Sequence, residues 1–240
     1  MRIDPPVELT KSEFSILAAE IEPFLRAPAM ELKPWPHAMI QLKDKTMFIR
    51  HARKEEIPKM LGYMEKVMKV EHDFYDIVGV RVYAELLGWY RERLKDPYVL
   101  VGIIDGQLAG MANGRLLNED INISHHTMTF IRQGRIGAAM YYAKIYYALE
   151  VLGQKEFWST FESYNGWMLG FRTAQTPYPW PEYQHELGGA RVFTITQEMW
   201  HRSVKNFTVD LMGAPMVFDN IPEELVKASE EFIVPEEVVV

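Results

Sequence analysis

The chain of 240 residues contains no cysteine. That excludes disulfide bridges and thiolate zinc sites, and it agrees with a reducing, cytoplasmic setting. Nor is there a run of about twenty apolar residues, the length a helix needs to cross a bilayer. The opening stretch MRIDPPVELTKSEF lacks the charged-then-apolar pattern of a secretory leader. Cationic side chains are the minority, 26 Lys and Arg against 33 Asp and Glu, for a formal charge of −7. Such a balance argues against a broad nucleic-acid surface and still permits a local basic pocket. What is present is apolar material: 48% of residues are hydrophobic and 12% aromatic, enough to bury a sizeable core. The length suits one domain with extensions.

Prolines at 5, 6, 23, 28, 34 and 36 mark residues 1–45 as an arm with one helical stretch near 11–25. Residues 46–200 read as the domain proper and 201–240 as a C-terminal extension. Within the domain, 46–52 reads as a strand. A helix follows over 54–71, with Ile57, Leu61, Met64 and Met68 on one face, and a second over 80–95, stopped by Pro97. Three consecutive strands come next, 98–104, 107–116 and 121–131. They are joined by the Asp105-Gly106 hairpin signal and an Asn118-Glu119-Asp120 turn. The stretch 136–152 reads as a helix apolar over most of its girth, hence buried, with Gly153 as its stop. A strand at 156–161, a short helix from Asn165, a helical turn at 182–187 and a last strand at 190–196 complete the pattern. The tail reads as one helix over 222–232, with the closing PEEVVV expected to lack order. The order β-α-α-β-β-β-α-β-α-β implies an α+β fold around a largely antiparallel sheet.

The chemistry concentrates after Thr127. A strand runs directly into a basic turn containing Gly134 and Gly137, and that turn opens the buried helix. Backbone N–H groups at such a helix N-terminus suit a diphosphate, and Arg132 and Arg135 add positive charge. His125 and His126 precede the turn. As neighbours on a strand they are expected to point to opposite faces, and no third ligand lies near them, so they are not read as a metal site. The run His72-Asp73-Phe74-Tyr75-Asp76 mixes acid and aromatic groups, which suits a cationic amine.

This order, with a phosphate-cradling turn after the fourth strand, resembles the GNAT superfamily of acyl-CoA N-acyltransferases over about residues 46–199. The family motif Gln/Arg-x-x-Gly-x-Gly/Ala is matched by Arg132-Gln133-Gly134-Arg135-Ile136-Gly137, with Arg135 standing where the family prefers glycine. The resemblance implies a mixed, mostly antiparallel central sheet with helices on both faces. It also implies acetyl-CoA or another acyl-CoA as co-substrate, with no metal. Its pantetheine arm would meet the backbone of Met128, Thr129, Phe130 and Ile131. Its diphosphate would sit on Arg132, Gln133, Gly134, Arg135, Ile136, Gly137 and Ala138, and Asn165 would meet the same arm. The implied reaction is attack of an amine on the thioester. His126 is then the candidate base, Glu162 a second candidate and Tyr183 the candidate acid, with Tyr164 and Tyr178 as alternatives. Tyr183 sits one residue further from Leu187-Gly188 than in the family, and Gly189 replaces its phenylalanine. The acceptor would be an amine-bearing small molecule or a protein; a homodimer stays open, and neither membrane nor nucleic acid is expected as a partner. The competing reading is a catalytically silent binding or structural protein on the same fold.

Overall fold

A computed structural model of the protein describes residues 31–94, 96–132, 134–161, 164–173, 175–177 and 191–239. Among these lie eight strands in one sheet, ordered β1-β2-β3-β4-β5-β6-β8-β7. They are β1 (Ala38–Leu42), β2 (Lys45–His51), β3 (Pro97–Ile104), β4 (Gln107–Leu116), β5 (Ile121–Thr129), β6 (Glu156–Phe161), β7 (Thr176–Pro177) and β8 (Arg191–Thr196). All pairs are antiparallel except β5 with β6. The helices are α1 (Ile57–Val67), α2 (Tyr75–Tyr90), α3 (Ile136–Tyr146), α4 (Tyr164–Arg172), α5 (spanning 197–212) and α6 (Glu223–Ala228). Helix α3 ends in a π-type segment, Tyr147–Val151, and α5 contains another at Trp200–Val204.

Strand β3 shows why the sheet is sandwiched. Every residue in it is buried, and its side chains divide by parity. Val99, Val101 and Ile103 pack with α1 and α2, whereas Tyr98, Leu100 and Ile104 pack with α3 and α5. Alternation of side chains across a strand produces this division, and apolar residues at both parities require cover on both faces. Two glycines let α3 lie close to the sheet. A Cβ on Gly102 would fall 2.7 Å from the sulfurs of Met140 and Met47, and one on Gly110 2.9 Å from Ile136 Cγ2.

Features that differ from the sequence reading include helix α5, where the tail was expected to hold a single helix over 222–232, and the short strand β7, where a break was expected. The stretch read as an arm contributes β1, a strand paired with β2 across a tight turn at Lys43. Helix α2 starts at Tyr75, five residues before the expected position, after Asp73 and Phe74 in left-handed backbone conformations. The C-terminal residues are docked. Phe232 is buried against α1, and Ile233 bridges Gln107. Beyond them Lys66 and Tyr63 donate to the carbonyls of Glu236 and Glu237. Arg50 anchors the tail's root: its guanidinium grips Glu56 through two bonds of 2.8 and 2.5 Å and donates to the carbonyls of Ser229 and Glu230. The helical segment expected at 11–25 and the turn at 182–187 lie outside the described residues.

Candidate active site

The one parallel pair among the described strands comes apart. Register between β5 and β6 runs from Ile121↔Glu156 to Ser124↔Ser159 and stops, while β6 continues its pairing with β8 through Phe161. From His125 onward β5 therefore leaves its neighbour, and a cleft of about 340 Å³ opens between them. Its walls include Thr127 and Thr129 of β5, Thr160 and Phe161 of β6, and Tyr141 and Lys144 of α3. The start of α3 borders the cleft through Gly137 and Ala138. The hydrogen-bond ladder of α3 begins with Ala139 N–H to the Arg135 carbonyl. The amides of residues 136–138 precede it, as the first N–H groups of a helix do. They form a donor array at the positive end of the helix dipole. Arg132 lies at the same mouth. Its guanidinium donates to the Tyr75 hydroxyl and, at 3.3 Å, to the Val239 carbonyl.

The strand β5 carries a bulge where it leaves β6. Ala112 faces Thr127 and Gly114 faces Ser124, so β5 holds one extra residue opposite Asn113. The extra residue removes a ladder partner from the His126 amide, and the Asn113 side chain replaces it by accepting that N–H at 2.9 Å. The bulge also overturns the expectation that His125 and His126 point apart. Both reach one carboxylate: Nδ1 of His126 lies 3.0 Å and Nδ1 of His125 3.7 Å from Glu85 Oε2. The same oxygen accepts a 2.6 Å bond from Asn113 Nδ2. Burial by itself would raise the Glu85 carboxyl, yet His126, His125 and the Asn113 amide together hold it below the usual carboxylate range. Burial pushes the His125 imidazole down to about 4; Glu85 opposes this, and His126, Arg115 and Lys144 reinforce it. The cleft wall thus carries His126, whose Nδ1 meets the Glu85 carboxylate, beside the His125 imidazole, which burial keeps neutral at pH 7.

Solved structures share this architecture. An uncharacterised protein from Bacillus halodurans superposes with a TM-score of 0.52 at 13% identity, over 75% of this chain and 100% of that one. A GCN5-related N-acetyltransferase from Brucella melitensis gives 0.51 at 13% identity, over 84% and 96%. RimJ from Mycobacterium smegmatis, in complex with CoA-disulfide, gives 0.50 at 11% identity, over 73% and 95%. This chain has the GNAT fold. No protein-family model matches the sequence, and no curated protein matches it significantly.

On the GNAT fold the motif residues divide between two places. His126, Met128, Thr129, Arg132, Gly137 and Ala138 line the cleft. Ile131, Gly134 and Ile136 border a separate hollow of about 180 Å³ beside Lys43 and Lys45. Phe130 is buried edge-on against Tyr63. Arg135 adopts the left-handed conformation (φ 70°), which accounts for the family's preference for glycine there. Its guanidinium runs over Gly213, the left-handed cap of α5, where a cation suits the terminal carbonyls. Gln133, Glu162, Tyr178 and Tyr183 lie outside the described residues, as do the side chains of Tyr164 and Asn165 at the start of α4. Of the acid–aromatic run, Asp73 and Tyr75 line the cleft and Phe74 is exposed. Among the described residues no cluster of three His, Cys, Asp or Glu is placed to hold a metal, and no helix is long and apolar enough to cross a membrane.

Sequence reasoning missed Glu85. A signal existed: Val78, Val82, Glu85, Leu86 and Trp89 fall on one helical stripe, and an acid among inward positions demands a partner. Lys144 was also missed. It is 2% exposed, on the buried face of α3, with its ammonium 5.4 Å from the centre of the Tyr141 ring.

Proposed function

We propose that the protein is an N-acyltransferase that moves an acyl group, with acetyl the first choice, from acyl-CoA to an amine. One observation carries this reading: parallel strands β5 and β6 part at Ser124 and Ser159, beside the first turn of α3 and an imidazole. A slim pantetheine arm suits such a gap, and a diphosphate suits residues 136–138. The amine nitrogen attacks the thioester carbon, the nitrogen–carbon bond forms and the carbon–sulfur bond breaks. His126 takes the proton released by the amine, and the CoA thiolate ends protonated. Base catalysis of this kind is worth about 10²–10⁴ in rate. The acceptor is an amine-bearing small molecule or an amine on a protein, and Asp73 and Tyr75 on the cleft wall favour one that is cationic when free. Absence of cysteine supports a cytoplasmic setting.

The test is calorimetric titration with acetyl-CoA, followed by CoA release over a panel of amines. Binding with turnover on at least one amine is expected. No binding sinks the reading. A silent CoA-binding protein on the same fold is the second reading, and binding without turnover would select it. The observation in its favour is Arg132, whose guanidinium is engaged by Tyr75 and the Val239 carbonyl.

A further inference from the structure

Helix α2 is apolar where it meets the sheet, with Val82 and Leu86 fully buried, and Glu85 stands on that inner side. Burying a carboxylate there is unfavourable unless hydrogen bonds hold it. Glu85 Oε2 receives the Asn113 amide at 2.6 Å and meets His126 Nδ1 at 3.0 Å. Asn113 in turn accepts the main-chain N–H of His126, so β4 locks both members of the pair. An ionised carboxylate can only accept hydrogen bonds. His126 Nδ1 must therefore carry the proton, which leaves the Nε2 lone pair as the ring's basic site. His125, at 3.7 Å, is beyond hydrogen-bond reach of the same oxygen. The charged groups around this pair are Arg115 of β4 and Lys144 of α3. Asp73, from the loop before α2, lines the same cleft.

We propose that Glu85 is the positioning residue of the transfer: it fixes the Nδ1–H tautomer of His126 and stabilises the imidazolium that forms when Nε2 takes the amine proton. The inference rests on the acyltransfer reading for its consequence and, for the tautomer, on the hydrogen bonds around Glu85. A bulge in β5 that turns adjacent imidazoles toward one acid, and a side-chain amide that adds to the acid's bonds, make a prepared proton site rather than an incidental contact.

Two measurements decide it. The first needs no activity. Nitrogen-15 spectra of the seven histidines, with His126 assigned through His126→Gln, are expected to show a protonated Nδ1 and a pyridine-like Nε2 at pH 8. In Glu85→Leu that preference is lost. A His126 found as Nε2–H in the wild-type protein overturns the proposal, even should Glu85→Leu fail to fold. The second is kinetic. Glu85→Gln keeps the shape and removes the charge, so kcat falls by about 10²-fold. KM for acyl-CoA stays unchanged, because Glu85 does not line the cleft mouth. The acid limb of the kcat/KM profile moves to lower pH, because an imidazolium without its counter-charge loses its proton more readily. A merely structural role would lower stability and leave that limb in place, and an unmoved limb with unchanged kcat overturns the proposal. If the wild-type protein releases no CoA with any amine, the acyltransfer reading fails, and the tautomer measurement still decides the role of Glu85.

Discussion

At the scale of single residues, burial sets the protonation of the imidazoles. His51 and His125 are each lowered from 6.5 to about 4, chiefly by desolvation. Between those values the unfolded chain binds protons that the folded chain refuses, so stability rises with pH by about 1.4 kcal/mol per unit for each histidine. Glu56 and Glu85 act in the same direction. Despite burial, their partners depress them, so their contribution is present above the unfolded carboxylate range and lost as pH falls through the folded values. Urea midpoints are therefore expected to fall steadily from pH 7 to pH 5; a flat profile would contradict neutral burial of the two histidines. Gly137 offers a second test. A Cβ there would make only an ordinary 3.5 Å contact with Thr129, so the backbone accepts a side chain at this position and Gly137→Val is expected to fold, which circular dichroism checks. In the wild-type protein, acetyl-CoA at a hundred times its Kd adds about 2.7 kcal/mol of stability. The variant is expected to lose that increment, because a branched side chain occupies the space a phosphate needs against the backbone. An undiminished shift in a thermal melt would put the diphosphate elsewhere.

At the scale of elements, the position of α3 over β4 determines the cleft. A Cβ on Gly110 would stand 2.9 Å from Ile136, 3.1 Å from the Met128 carbonyl and 3.1 Å from Met140. Gly110→Val is thus expected to cost about 1–3 kcal/mol by overpacking, read from denaturant midpoints. It should also weaken acyl-CoA binding in the calorimeter, because the displaced atoms belong to the first turns of the helix. Much of this level was legible in the chain. The Asp105-Gly106 hairpin, the three consecutive strands and a helix opening at Ile136 all follow from local pattern, and the structure has them. The start of α2 was not legible, since left-handed Asp73 and Phe74 launch it with no side-chain cap to announce it. Nor was the bulge. An extra residue in β5 is defined against β4, and nothing within the run Ser124-His125-His126-Thr127 reports its partner's register.

At the scale of the whole molecule, the two chain extensions complete the sheet and its cover. Strand β1 adds an edge, and the C-terminal residues close the α1 face before reaching Arg132 at the cleft. Phe232 is the apolar anchor of that path, and Phe232→Ala is expected to cost about 3 kcal/mol in a urea titration. Arg50 is the polar anchor, and Glu56 is its counter-charge. Its loss would leave the Arg50 guanidinium buried without a counter-charge, and Glu56→Ala should likewise cost about 3–5 kcal/mol. An exposed-pair effect of a few tenths in either variant would mean that the tail does not bear on the core.

The sequence by itself determined the fold class and the glycine-containing turn that opens a buried helix after β5, because strand alternation, helical period and turn chemistry are written in residues a few positions apart. Tertiary structure alone decided the parting of β5 from β6, the turn of two neighbouring histidines toward one side, and the choice of Glu85 as their shared acid. Those depend on pairing and burial between segments distant in the chain, forty-one residues for His126 and Glu85, and the free energy of a buried charge is settled only by what the fold brings next to it.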